Sequence, residues 1–155
     1  MKVKTGTLVL VADGRKMRIM ENIGTANLVK LTVLLEREDD NPPSREHGSD
    51  RPGRVRSSTG EHRSSYSETN LHDQAEIDFA LRTATDLEAL AEKNPASAII
   101  VIADPRILGA MRGHYGRSTQ ANILAELDRD LVNHSDSEVA KVVASEAEMG
   151  FNSAR

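Results

Sequence analysis

Apolar positions along this 155-residue chain repeat with two different periods. Thr7 to Ala12 is a short, continuous apolar run, which predicts a buried strand. Asp13-Gly14 is a hairpin turn signal. Lys16 to Glu21 alternates polar and apolar side chains, predicting a second, half-exposed strand. A loop over 22–27 follows, and Leu28 to Glu36 predicts a third strand. Connections this short make the three strands an antiparallel meander. Beyond a start at Ser67 to Asn70 the period becomes 3.6. Ile77, Ala80, Leu81, Ala84, Leu87, Leu90 and Ala91 form one stripe with Phe79 alongside, predicting a long amphipathic helix. Lys93-Asn94-Pro95 stops it.

Ala98 to Ala103 is the most continuously apolar segment. It predicts a strand covered on both faces, and therefore helices above and below the sheet. A right-handed crossover through the long helix sets this strand parallel to the first. Asp104-Pro105 is an N-cap followed by proline at the first helical position, opening a helix through Ile107, Leu108 and Met111 to about His114. Gly116 to Asn122 reads as loop. Ile123 to Leu131 fits both periods, and topology favours a strand over 122–128. Ser135-Asp136-Ser137-Glu138 is a capping signature before a last helix with the stripe Val139, Val142, Val143 and Ala147. Residues 151–155 read as a tail. The order β-β-β-α-β-α-β-α predicts a single α/β domain over residues 1–150. Its five-stranded mixed sheet takes the order 3-2-1-4-5, which is ribonuclease-H-like, with helices on both faces.

Composition narrows the chemistry. The chain has no Trp, two Phe and two Tyr, so its core is aliphatic. It has no cysteine, which excludes disulfides, a thiol nucleophile and a cysteine zinc site. The apolar run after Lys2 and Lys4 is too short for a signal sequence, and no segment has the length of a membrane helix. The expectation is a soluble, cytoplasmic protein without a membrane partner. Net charge is −4, spread unevenly: residues 1–66 carry twelve basic and nine acidic side chains, residues 67–155 eight and fifteen. A local basic patch is therefore compatible with an acidic whole.

That patch lies in a long stretch over 41–66, between the third strand and the long helix. Pro42 to Arg56 alone holds four arginines, two glycines and three prolines, with neither period. Arg45, Arg51, Arg54 and Arg56 supply planar forks that bind phosphate or carboxylate in pairs of hydrogen bonds. His47 and Asp50 complete its polar candidates. Read without function, the same stretch is a solvated linker whose arginines pair with Glu46, Asp50 and the acidic second half.

Asp13 and Asp104 end the first and fourth strands. Parallel neighbours would place both carboxylates at the sheet's carboxyl edge, where ligands of open α/β sheets bind. Two carboxylates there suit a divalent metal and phosphodiester hydrolysis, with Asp128 as a third ligand. Each also has a local explanation, as a turn residue and as an N-cap, and Arg15 and Arg106 beside them suit an anion. The five histidines have no metal-ligand spacing, and the serines at 57, 58, 64 and 65 have no nucleophile motif. Neither a metal nor a cofactor is expected.

Several segments together resemble a known family. They are Gly6-Thr7, Val11-Ala12-Asp13-Gly14-Arg15, Arg45-Glu46-x-Gly48-x-Asp50-Arg51-Pro52-Gly53-Arg54-Val55, Asp78-Phe79-Ala80, Pro105-Arg106-x-Leu108-Gly109, and Glu126-x-Asp128-x-Asp130-Leu131 with His134. The chain resembles the bacterial host attachment proteins, those required for attachment to host cells, over nearly its whole length. That family is in turn similar to the middle domain of archaeal and eukaryotic release factors. There a Gly-Gly-Gln loop precedes a long helix and enters the peptidyl transferase centre of the ribosome. The arginine-rich stretch occupies the comparable place here, but the chain contains no Gly-Gly-Gln. The resemblance implies a ribosome or RNA partner without the release reaction.

The leading expectation is therefore a non-catalytic binding protein that uses the arginine-rich loop on a phosphate-rich partner. A metal-dependent phosphodiester hydrolase using Asp13 and Asp104 is one alternative. An adhesion or signalling protein is another. The oligomeric state is left open by the residues alone.

Overall fold

The computed structural model describes residues 2–39 and 61–151, with side chains in the long helix from Asn70 onward. Five strands form one sheet in the order β3-β2-β1-β4-β5. They are β1 (Leu8–Ala12), β2 (Lys16–Asn22), β3 (Leu31–Glu38), β4 (Ile99–Ala103) and β5 (Ile123–Asp128). The helices are α1 (Glu61–Lys93), α2 (Pro105–Arg112), α3 (Arg117–Asn122) and α4 (Asp136–Glu148). The predicted single α/β domain and strand order are observed.

Strands β1 and β2 pair antiparallel, with Leu10 opposite Ile19. β1 and β4 pair parallel, with Leu8 opposite Ile99 and Leu10 opposite Val101. Every residue of β1 and β4 is buried, as expected for strands covered on both faces. One face packs Leu8, Leu10, Met17, Ile19 and Val101 against Phe79, Ala84 and Leu87 of α1 and Ile107 and Met111 of α2. The other packs Val9, Val11, Met20, Ile100 and Ile102 against Val139, Val143 and Ala147 of α4. The stripe of α1 is as the periodicity predicts for Ala80, Ala84, Leu87 and Ala91, which are buried together with Phe79, while Ile77, Leu81 and Leu90 are half-buried.

The main departures from the sequence expectation are at the start of α1, the start of β3, residues 117–122 and Phe151. Helix α1 begins at Glu61, six residues or more before the predicted start. Between Gly60 and Pro95 the sequence has neither glycine nor proline, so nothing halts the helix once its packed half has nucleated it. Residues 61–66 therefore belong to the helix, and 40–60 lie outside the described residues.

Strand β3 begins at Leu31, three residues late. Buried Asn22 holds the preceding turn. Its amide donates to the carbonyl of Val3 at 3.0 Å, and its Oδ1 accepts from the backbone N–H of Gly24 and of Lys30, both at 2.9 Å.

Arg117 to Asn122 is helix, where loop was expected. The cause is the distant carboxylate of Glu88, which accepts from the backbone N–H groups of Ser118 at 3.2 Å and Thr119 at 2.9 Å. It also accepts from the Thr119 hydroxyl at 2.9 Å. A Cβ at Gly116 would collide with that carboxylate.

Phe151 is no part of a free tail. It is buried against α4 in the left-handed conformation at φ 54°, and its N–H donates to the Glu146 carbonyl at 2.8 Å.

Candidate functional site

The parallel pairing of β1 and β4 brings Asp13 and Asp104 into one cleft of about 260 Å³ at the carboxyl edge of the sheet. Ala12, Gly14, Arg15, Glu76, Arg106, Ile107 and Asp130 complete its walls.

Each strand-end aspartate has local work. Asp13 Oδ1 accepts from the backbone N–H of Arg15 and of Lys16, both at 2.7 Å, which closes the turn between β1 and β2. Asp104 Oδ1 accepts from the Ile107 N–H at 2.9 Å and caps α2. Among the described residues no three His, Asp or Glu side chains are grouped to hold a metal ion. The local readings of Asp13 and Asp104 are thus realised in hydrogen bonds.

The cleft's floor comes from a residue without an assigned role in the sequence. Glu76, on α1, forms an ion pair with Arg106 at the start of α2, and its other oxygen lies 3.4 Å from His72 Nε2. Gly14 makes this possible, since only a residue without Cβ leaves room for the Glu76 side chain under the turn. Arg15 is exposed beside it. The cleft thus holds four carboxylates and two guanidinium groups, with Arg106 engaged by Glu76. Glu76 and Asp130 reach it through tertiary packing. The sequence carried only weak signals for them, an acid near a helix start and a member of the family pattern.

The acidic pattern Glu126-x-Asp128-x-Asp130 splits on folding. Glu126 turns away from the cleft, accepting from Arg112 Nε at 2.8 Å and from the Tyr115 hydroxyl at 2.9 Å. Burial, with the Glu126 charge beside it, raises the Tyr115 pKa. Asp128 is exposed, as are His114 and His134.

A second cluster anchors the end of β3, after which the described residues stop at Asp39. Arg37 and Arg82 place their guanidinium carbons 5.2 and 5.6 Å from the Phe79 ring centroid. Arg37 forms an ion pair with Asp86. Arg82 reaches Asp39 Oδ2 at 3.4 Å, and the Asp39 N–H donates to the Arg15 carbonyl at 2.7 Å. The end of β3 is therefore tied to α1 and to the β1–β2 turn. Glu76 sits at the carboxyl edge, and α1 has fifteen further residues before it, about 22 Å of helix. Arg45, His47, Asp50, Arg51, Arg54 and Arg56 lie outside the described residues.

The model of the bacterial archaeo-eukaryotic release factor family 12 matches residues 6–143. The chain belongs to this family. The match runs from β1 into α4, so it takes in the cleft, the anchoring cluster, the arginine-rich stretch and the projecting α1. No curated protein matches the chain. The sequence-based resemblance to release factors is thereby met at the level of the family. No helix among the described residues is long and apolar enough to cross a membrane.

Proposed function

We propose that this member of the release-factor family is a non-catalytic binding protein that engages the ribosome or another RNA. The arginine-rich stretch over 42–56 contacts the phosphates. The observation that carries this reading is the position of that stretch. It joins an anchored edge strand to a helix that continues past the carboxyl edge of the sheet, as the loop of a release-factor middle domain does. Arg45, Arg51, Arg54 and Arg56 supply charge-assisted contacts to backbone oxygens, and His47 and Asp50 supply polar contacts. Arg15, at the carboxyl edge of the sheet, adds a basic side chain to the binding surface, and Asp13, Asp104 and Arg106 shape the cleft that it lines. The absence of Gly-Gly-Gln argues against hydrolysis of a peptidyl ester. The engagement of Asp13 and Asp104 with backbone donors argues against the metal-dependent alternative. A host-attachment phenotype would follow indirectly, through the RNA-bound state.

The test is sedimentation of the purified protein with ribosomes through a sucrose cushion at several salt concentrations. Co-sedimentation at low salt that is lost as salt rises is expected, because phosphate contacts release counterions. Protein remaining in the supernatant at every salt concentration would overturn the reading.

A further inference from the structure

The two faces of the sheet are covered unequally. Helices α1 and α2 cover one face, and α4 alone covers the other. Beside α4 runs an apolar groove of about 420 Å³ with Leu28, Val29, Leu31, Ala140 and Ala144 in its walls. It continues past Asn27 and Ala144 into a second hollow of about 280 Å³ that reaches Ala147 and Glu148. Leu28 is 74% exposed at its rim, the most exposed large apolar side chain among the described residues.

The charges along this groove are arranged in a particular order. Lys141 lines the first part and Glu148 the second, with Ala144, which lines both, between them. Lys141 and Glu148 are two helical turns apart, about 10.5 Å, on one side of α4. Both are exposed, and neither forms a salt bridge within the described residues. Lys141 does lie one turn from Glu138 and helps to lower that carboxyl's pKa. Of the other rim charges, Asp136 is occupied by Arg18 at 3.0 Å, and Lys2 and Lys30 lie on the opposite bank.

We propose that this groove is the interface of a two-fold dimer with a second copy of this chain, built on antiparallel packing of α4 against the partner's α4. An axis beside Ala144 and Ser145 sets Lys141 opposite the partner's Glu148, and Glu148 opposite the partner's Lys141. The self-complementarity is what a two-fold interface requires, since one patch must recognise itself. Ala144 at the crossing point permits close approach of the helices. Leu28 and Val29 then cover the apolar floor against the partner's helix, which removes from water the most exposed large apolar side chain among the described residues.

The test is the mass of the full chain in solution by size exclusion with light scattering, across a concentration series. The wild type is expected to be dimeric at the upper concentrations. Lys141→Glu and Glu148→Lys each set like charges opposite one another twice, and each is expected to weaken self-association about tenfold or more. Both side chains are exposed, so at concentrations low enough for the wild type to be monomeric each variant should give the same circular dichroism spectrum as the wild type. The double variant Lys141→Glu/Glu148→Lys restores opposite charges across the axis and should restore the dimer. A wild type that stays monomeric throughout overturns the proposal. So does a dimer that neither single variant weakens, or a double variant that is no better than the singles.

Discussion

Gly14 and Glu76 touch across the carboxyl edge of the sheet: a Cβ at position 14 would lie 2.7 Å from Glu76 Cγ and 2.8 Å from its Cβ. The second contact is close to the helix backbone, so a new methyl group cannot be accommodated by rotating the carboxylate alone. Either the β1–β2 turn or α1 must shift. Gly14→Ala is expected to destabilise the fold by about 1–3 kcal/mol through overpacking. Glu76→Ala in the same chain should recover only part of that loss, because it removes Cγ and Cδ but keeps the Cβ that the new methyl group also meets. Denaturant titration of the two singles and the double measures both numbers, and an unperturbed Gly14→Ala would contradict the contact.

Phe79 is fully buried between the sheet and the guanidinium groups of Arg37 and Arg82. Phe79→Ala should cost about 3–5 kcal/mol in equilibrium unfolding, through lost burial and the cavity left behind. Phe79→Leu should cost distinctly less. A loss below about 1 kcal/mol for the alanine variant would mean that the site collapses around the missing ring.

Glu88 holds the start of α3 through backbone hydrogen bonds, and the Thr119 N–H in particular keeps its carboxyl below the ordinary value of 4.5. A depressed carboxylate stabilises the fold above its unfolded pKa, and this contribution fades as pH falls through the folded pKa. Wild type should therefore exceed Glu88→Gln in stability at neutral pH, and the gap should narrow on acidification below about pH 4.5. Thermal melts of both proteins from pH 7 to pH 3 give the comparison. A gap that widens toward acid would reverse the sign of the argument.

Replacing Arg51 and Arg54 together with Ala should weaken binding to RNA or ribosomes and lower the log–log salt slope by about two, one for each lost phosphate contact. Titrations of wild type and double variant at four salt concentrations measure the slopes. Equal slopes would remove both arginines from the phosphate interface and favour an adhesion or signalling role.

Much of this architecture was legible in the residues because its signals are local. The unbroken apolar runs of β1 and β4 declare strands buried on both faces, and the 3.6 period of α1 declares its packed stripe. Asp104-Pro105 and Ser135-x-x-Glu138 mark helix starts by hydrogen bonds spanning three residues. From these elements the strand order follows, because a right-handed crossover leaves few alternatives. The paired ends of β1 and β4 then bring Asp13 and Asp104 into one cleft.

The remaining features depend on partners far apart in the chain. Glu88 turns Arg117 to Asn122 into helix from 30 residues away. Asn22 delays β3 by binding Val3 and Lys30 together. Phe151 leaves the tail for the core because α4 ends beside an apolar space. Glu76 becomes the floor of the cleft only because Gly14 is folded over it. Short-range periodicity carries the free energy of burying a face, and so it predicts elements. The partner of a single polar group is chosen by packing in three dimensions, so it is settled only once the chain has folded.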